Sequence, residues 1–113
     1  MPSESGVTEI PAEELKQKLD RKEDLVLLDV REPFEYEIAR IEGSRLIPLG
    51  QLESRLGELA PLKGKEIVAH CHHGGRSRRA LEFLLSKGFK NLKNVTGGID
   101  EWSLHVDSSV PRY

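Results

Sequence analysis

Apolar positions along the chain follow two different periods, and their alternation predicts strands separated by helices. Short apolar runs typical of buried strands occupy residues 25–30, 66–70 and 92–96, with briefer candidates at 7–10 and 45–49. Between these runs apolar residues recur at helical spacing, and a last helix is predicted over 99–106. The helical positions are Leu15 and Leu19, Phe34 and Ile38, Leu49, Leu52, Leu56 and Leu59, and Ala80, Leu81, Leu84 and Leu85. The pattern therefore predicts an α/β fold in which a mostly parallel five-stranded sheet carries helices on both faces.

Length and composition narrow the class of protein. The 113 residues suit one domain, taken as residues 7–113 after a flexible N-terminus at 1–6, and the chain is 37% hydrophobic and 32% charged. A net charge of -2 gives no reason to expect a nucleic acid or a membrane as partner. One cysteine cannot form an internal disulfide, and the N-terminus lacks the apolar segment of a signal peptide, so we expect a cytoplasmic protein. A monomer is the default expectation.

The stretch 67–80 joins a strand pattern to a helix pattern through a loop with reactive side chains. A short apolar run ends at His70 and is followed by Cys71, two histidines, two glycines and Arg76. Glycines allow backbone N–H groups to converge, and the N-terminus of the following helix adds positive potential. Ligands of parallel sheets bind beyond the carboxyl ends of the strands. Cys71 is therefore predicted to face an anion cradle that lowers the pKa of its thiol.

Cys71 has an inert interpretation and a chemical one. Free cysteines are mostly inert buried residues, but a segment reading His-His-Gly-Gly-Arg would make a poor core, which favours a reactive thiol. No metal is expected, because adjacent ligands at 70–73 cannot surround one tetrahedral ion and the chain has no second cluster. His72 and His73 are interpreted as loop residues that add positive potential when protonated, and a direct role toward a substrate or partner stays open. No cofactor is implied.

The spacing from Cys71 to the arginines separates two classes of enzyme. Cysteine-dependent phosphatases place five residues between the cysteine and the arginine that clamps the phosphate. In this chain that position is Ser77, and the arginines lie at 76 and 78. A loop from Cys71 to Arg76 is one residue short for a phosphate and suits the terminal sulfur of a persulfide better. A cysteine-dependent phosphatase is therefore the alternative.

Four motifs in the same order resemble those of the rhodanese (sulfurtransferase) family over nearly the whole chain. They are residues 28–32 with 34–36, residues 41–44 with 47–49, the loop 71–77, and residues 95–99 with Trp102. The chain departs from the family pattern at residues 39–41, which read Ala-Arg-Ile where members often carry Gly-His-Ile. The loop and the ending at 110–113 look most like rhodanese domains fused to adenylyltransferases of molybdopterin and thiamine biosynthesis.

This resemblance implies a three-layer rhodanese-like fold and a role for each residue of the loop. Cys71 would take a sulfane sulfur from thiosulfate or another persulfide donor and pass it to cyanide, a thiol or a sulfur-carrier protein. Asp29 and Arg31 would brace the loop by hydrogen bonds, and Trp102 would be a core or rim residue. Arg76 would bind the sulfonate end of a donor. The persulfide would be held by the loop, which consists of His72, His73, Gly74, Gly75, Arg76 and Ser77.

The single cysteine also limits the reaction schemes. Without a resolving thiol in the chain, a sulfur atom on Cys71 must leave to an external acceptor. A binding module for a sulfur carrier, with no turnover and with an incidental thiol, is the third possibility. The physiological donor and acceptor are not encoded in any motif of the sequence.

Overall fold

The computed structural model describes residues 6–113, which contain one sheet of five parallel strands. The strands are β1 (Val7–Ile10), β2 (Leu25–Asp29), β3 (Arg45–Leu46), β4 (Glu66–His70) and β5 (Leu92–Val95). Their order across the sheet is β1-β5-β4-β2-β3, and every pairing between neighbours is parallel. The predicted mostly parallel sheet is confirmed. The predicted flexible segment, residues 1–6, lies outside the described residues except for Gly6.

Helices follow the strands, as parallel crossovers require. They are α1 (Ala12–Asp20), α2 (Pro33–Ile38), α3 (Leu56–Leu59), α4 (Gly75–Ser86) and α5 (Gly98–His105), with short 3-10 turns at Leu49–Gln51 and Ala60–Leu62. No helix within the described range is long and apolar enough to cross a membrane.

The core has two parts, one on each face of the sheet. Successive residues of a strand point to opposite faces, so Ile67 and Ala69 of β4 pack with α3 and α4, whereas Val68 packs with α1 and α5. Trp102 of α5 belongs to the second part and is 6% exposed, which makes it a core residue. Helices thus cover both faces, as the predicted three-layer arrangement requires.

The segment 49–59 differs from its prediction, whereas the short helix carrying Phe34 and Ile38 is present. The leucines at 49, 52, 56 and 59 predicted one element, but the chain forms a 3-10 turn at 49–51 and a single α-helical turn at 56–59. Gly50 and Gly57 lie one within each of these short elements, and glycine weakens a helix interior, which disfavours one continuous helix. In α2 the apolar residues Phe34 and Ile38 are 65% and 46% exposed, and the buried side chain is Glu35.

Candidate active site

Cys71 lies directly after β4, at the carboxyl edge of the sheet where β2 and β5 also end. The chain then bends through residues 72–74 and reaches Gly74, whose φ of 112° is in the left-handed region that favours glycine. Helix α4 begins at the next residue, so Arg76 and Ser77 belong to its first turn. The predicted strand, tight loop and helix are present, and the thiol sits below the N-terminus of α4.

The Cys71 side chain is 1% exposed and is surrounded by hydrogen-bond donors. The backbone amide of Gly74 donates to Sγ at 3.0 Å, and the Ser77 hydroxyl lies 3.5 Å from Sγ. Burial by itself raises the pKa of the thiol. Hydrogen bonds from the hydroxyl and amide of Ser77, and from the amides of Gly74 and His73, outweigh burial, so the pKa of Cys71 lies below its ordinary value.

Ser77 is held in place by β5 and β1. Its hydroxyl lies 2.5 Å from Oδ1 of Asn94, whose amide nitrogen donates to the carboxylate of Glu9 at 3.0 Å and to the carbonyl of Gly74 at 3.1 Å. Because both N–H groups of that amide are used, its oxygen must face Ser77. Asn94 is buried, and it therefore fixes the hydroxyl that lies next to the thiol.

The N-terminus of α5 supports the loop from the other side. The amides of Ile99 and Asp100 donate to the carbonyls of Cys71 and His72 at 2.8 and 3.2 Å. This approach requires Gly98, since a Cβ at that position would lie 2.3 Å from the carbonyl oxygen of Cys71. Gly98 at the start of α5 is thus part of the architecture of the thiol loop.

Arg76 forms a bidentate ion pair with Glu35 of α2, at 2.6 and 2.8 Å. Because Arg76 donates to it, the carboxyl group of Glu35 has its pKa lowered from 4.5 to about 2 despite its burial. The phosphate-clamping geometry of a phosphatase would need this guanidinium to turn into the loop, whereas here Glu35 holds it. The sequence analysis predicted that Arg76 binds the sulfonate end of a sulfur donor, and its partner in the structure is Glu35.

Tyr113 completes the same network. Its hydroxyl donates to Glu35 at 2.8 Å and accepts from Nη1 of Arg31 at 2.8 Å. Its ring stacks on His72, with ring centroids 3.9 Å apart and an interplanar angle of 7°. The pKa of Tyr113 is raised to about 12, mainly by burial, while Arg31 lowers it and the neighbouring Glu35 carboxylate raises it. Tyr113 therefore stays a neutral phenol that connects the loop to α2.

Asp29 and Arg31 form a fully buried ion pair, with Nη2 of Arg31 2.7 Å from the carboxylate. The remaining N–H groups of Arg31 reach the carbonyls of Glu35 and Ala39 as well as Tyr113. The pair was predicted to brace the loop. Its hydrogen bonds go to α2 and to Tyr113, so the support that it gives to the loop passes through these two.

The histidines around Cys71 differ in their surroundings. His70 is completely buried, and burial lowers its pKa to about 4, so it is neutral and adds no charge to the site. Burial also lowers the pKa of His72, and the adjacent His73 lowers it further. His72 is sandwiched between the rings of His73 and Tyr113. The predicted positive potential at the loop therefore does not come from His72 near neutral pH.

Sequence reasoning missed the supporting roles of Glu9, Glu35, Asn94 and Tyr113. Glu35 and Tyr113 stood in motifs that were noted for their resemblance, but their partners are distant in the chain.

In residues 6–113 no group of three or more histidine, cysteine or acidic side chains is arranged to hold a metal ion. A cavity of about 720 Å³ lies between α1, α2, α5 and the final segment, and no residue of the thiol loop lines it.

A family model described as a rhodanese-like domain matches residues 11–105. The chain belongs to the rhodanese-like family. Among relatives, it is 44% identical to YrkF of Bacillus subtilis, a protein named as a sulfur carrier, over 88% of this chain and 52% of that protein. It is 35% identical to the adenylyltransferase and sulfurtransferase MOCS3 of Arabidopsis thaliana, over 100% of this chain and 27% of that protein.

Two other similar proteins match over most of their own length. A protein of Allochromatium vinosum named as a sulfurtransferase is 33% identical over 88% of this chain and 91% of its own. The crystal structure of a rhodanese-related protein from Thermoplasma volcanium has a TM-score of 0.77 and 34% identity, covering 88% of this chain and 93% of the other. The chain spans about half of YrkF and about a quarter of MOCS3. The resemblance seen in the sequence, including that to domains fused to adenylyltransferases, is confirmed.

Proposed function

We propose that this chain is a sulfurtransferase that carries a sulfane sulfur as a persulfide on Cys71. The observation that carries the proposal is a single thiol, buried and with a lowered pKa, beneath converging amides at the N-terminus of α4. Membership of the rhodanese-like family, with relatives named as sulfurtransferases and sulfur carriers, supports sulfur transfer in general. Thiosulfate or another persulfide is the proposed donor.

In the first half-reaction the Cys71 thiolate attacks the outer sulfur of thiosulfate. A bond forms between Sγ and that sulfur, the sulfur–sulfur bond of thiosulfate breaks, and sulfite leaves with the electron pair. The terminal sulfur of the product is anionic, and the amides from His72 to Ser77 are the groups proposed to stabilise it. Arg76 is proposed to bind the sulfonate end of the donor, for which it must exchange at least part of its ion pair with Glu35.

In the second half-reaction an external nucleophile takes the terminal sulfur and releases the Cys71 thiolate. Cyanide would become thiocyanate, and a thiol, whether of a small molecule or of a sulfur-carrier protein, would become a persulfide. Because the chain has one cysteine, no second thiol within it can resolve the persulfide. A cytoplasmic location, where reductants keep the thiol free, fits this chemistry and is part of the proposal.

A carrier that loads and holds sulfur without catalytic turnover is the second candidate, and the identity to YrkF favours it. Both candidates use the same Cys71 persulfide. They differ in whether the sulfur leaves to a small acceptor at a useful rate. The phosphatase alternative has weaker support, because the loop from Cys71 to Arg76 is one residue short for a phosphate.

The test is intact-mass spectrometry after incubation with thiosulfate, followed by addition of cyanide. We expect a gain of one sulfur atom, its loss on addition of cyanide, and steady production of thiocyanate. Loading without turnover would identify the carrier. The Cys71→Ser variant should show neither step, and an aryl phosphate should not be hydrolysed by either protein. If no thiosulfate or persulfide donor adds mass to the reduced protein, the proposed function is wrong.

A further inference from the structure

Tyr113 is the residue that contacts both halves of the site. Its ring covers His72, which directly follows the thiol, and its hydroxyl donates to Glu35, which holds Arg76 at the other end of the loop. A hydrogen bond of 2.8 Å from Arg31 fixes the phenol oxygen. The preceding residue, Arg112, forms an ion pair of 2.8 Å with Asp100. The final segment is thus bound at two points beside the loop.

The Glu35 carboxylate is almost fully buried and is shared among its donors. Arg76 takes both of its oxygens, Tyr113 donates to Oε2, and the backbone amide of Glu32 donates to Oε1. If Arg76 turns toward an anionic donor, the buried carboxylate keeps only the hydrogen bonds from Tyr113 and Glu32. A buried carboxylate that loses its donors is costly, so the phenol hydroxyl lowers the cost of releasing Arg76.

We infer that Tyr113 is a positioning residue for sulfur transfer, which sets through Glu35 how readily Arg76 can bind an anionic sulfur donor. Its ring has a separate effect, because it covers one face of His72, which is half-buried in a stack of three rings. The inference rests on the proposed function, since it concerns the donor that loads Cys71. It predicts that the Tyr113 hydroxyl governs the affinity for the sulfur donor and that the Tyr113 ring governs how readily His72 is protonated.

The test compares Tyr113→Phe, which keeps the ring, with Tyr113→Leu, which removes it. In Tyr113→Phe we expect the KM for thiosulfate to rise several-fold with little change in kcat, because Glu35 retains Arg76 more tightly. Alkylation of Cys71 by iodoacetamide, an uncharged reagent that needs no arginine, should keep its wild-type rate. In an Arg76→Ala background the hydroxyl should have no further effect on KM.

Tyr36→Phe is the matched control, since the chain has two tyrosines and the Tyr36 hydroxyl makes no hydrogen bond with any described residue. Tyr36→Phe should leave both the KM for thiosulfate and the rate of Cys71 alkylation unchanged. By NMR, the pKa of His72 should stay low in Tyr113→Phe and rise toward its ordinary value in Tyr113→Leu. This titration needs no sulfur donor, so it reports on Tyr113 even where thiosulfate does not load.

Two results would overturn the role of the Tyr113 hydroxyl. One is an unchanged KM for thiosulfate in Tyr113→Phe while the wild-type protein loads normally. The other is that Tyr113→Phe slows the alkylation of Cys71 as much as it slows sulfur loading, which would mean that Tyr113 only holds the fold. An unchanged His72 titration in Tyr113→Leu would overturn the role of the ring. Failure of the wild-type protein to load sulfur would instead count against the proposed function.

Discussion

The Ser77 hydroxyl has one proton and three acceptors within reach. They are Sγ of Cys71 at 3.5 Å, the carbonyl of Gly74 at 3.2 Å and Oδ1 of Asn94 at 2.5 Å. The proton can serve one of them fully at a time. An anionic sulfur is the strongest acceptor of the three, so we expect this proton to turn from Asn94 toward Cys71 when the thiol ionises.

Replacing Ser77 with alanine should therefore raise the pKa of the Cys71 thiol by about one unit, equivalent to about 1.4 kcal/mol. The ultraviolet absorbance of the thiolate, followed against pH, measures this change directly because the chain has one cysteine. Ser103→Ala is the control. That serine is also buried, but its hydroxyl donates to the carbonyl of Ile99 within α5. A thiol pKa that is the same in both variants would contradict the assignment.

Glu35 should make the stability of the protein depend on pH in the acid range. Its pKa is about 2 in the folded protein, against 4.5 as the ordinary value. The ionised group therefore stabilises the fold above about pH 4.5, and this contribution, at most about 3 kcal/mol, is lost as the pH falls through the folded-state pKa. Denaturant unfolding of Glu35→Gln at a series of pH values should show a flatter dependence between pH 4.5 and 2 than the wild-type protein. Parallel curves for the two proteins would rule this out.

At the scale of elements, the site depends on the close approach of α5 to the thiol loop. Gly98 has a φ of 62° and lies against the carbonyls of Cys71 and His72. Gly98→Ala should force the loop away from α5, with a loss of sulfur loading and of several kcal/mol in the free energy of unfolding. Gly57→Ala, in a helical turn with open space around it, should be neutral or slightly stabilising. The comparison is made by measuring, for both variants, the sulfur loaded on Cys71 and the midpoint of denaturant unfolding.

Individual elements also show how far the sequence could predict the site. The strand, loop and helix around Cys71 follow from local signals, namely an apolar run, glycines and a helical period. Glu35 could not be predicted in this way, because its burial depends on Arg76, 41 positions away. Phe34 and Ile38, the apolar residues of α2, are exposed while Glu35 is buried, since a buried ion pair has no local pattern. The leucines at 49–59 likewise kept their helical spacing, although residues 52–55 between the two helical turns are not helical.

At the scale of the whole molecule, β1 connects the two ends of the chain. Glu9 on this edge strand reaches Asn94 and Thr96 of the segment around β5, and Arg78 of α4. The pairing of β1 with β5 joins residues 7–10 to residues 92–95. The hydroxyl beside the thiol is therefore oriented by a contact between residues 85 positions apart, Glu9 and Asn94.

This long separation has a consequence for the order in which the protein folds. Contacts between distant residues carry the largest loop-closure cost and limit the folding rate. The Glu9–Asn94 and Arg31–Tyr113 contacts, 85 and 82 positions apart, must close before the surroundings of Cys71 are complete. During refolding, thiolate absorbance should recover no earlier than the fluorescence of Trp102 in the core, and an earlier recovery would contradict this order. A partly folded chain would then carry an ordinary cysteine, and sulfur chemistry would begin only when both ends of the chain are in place.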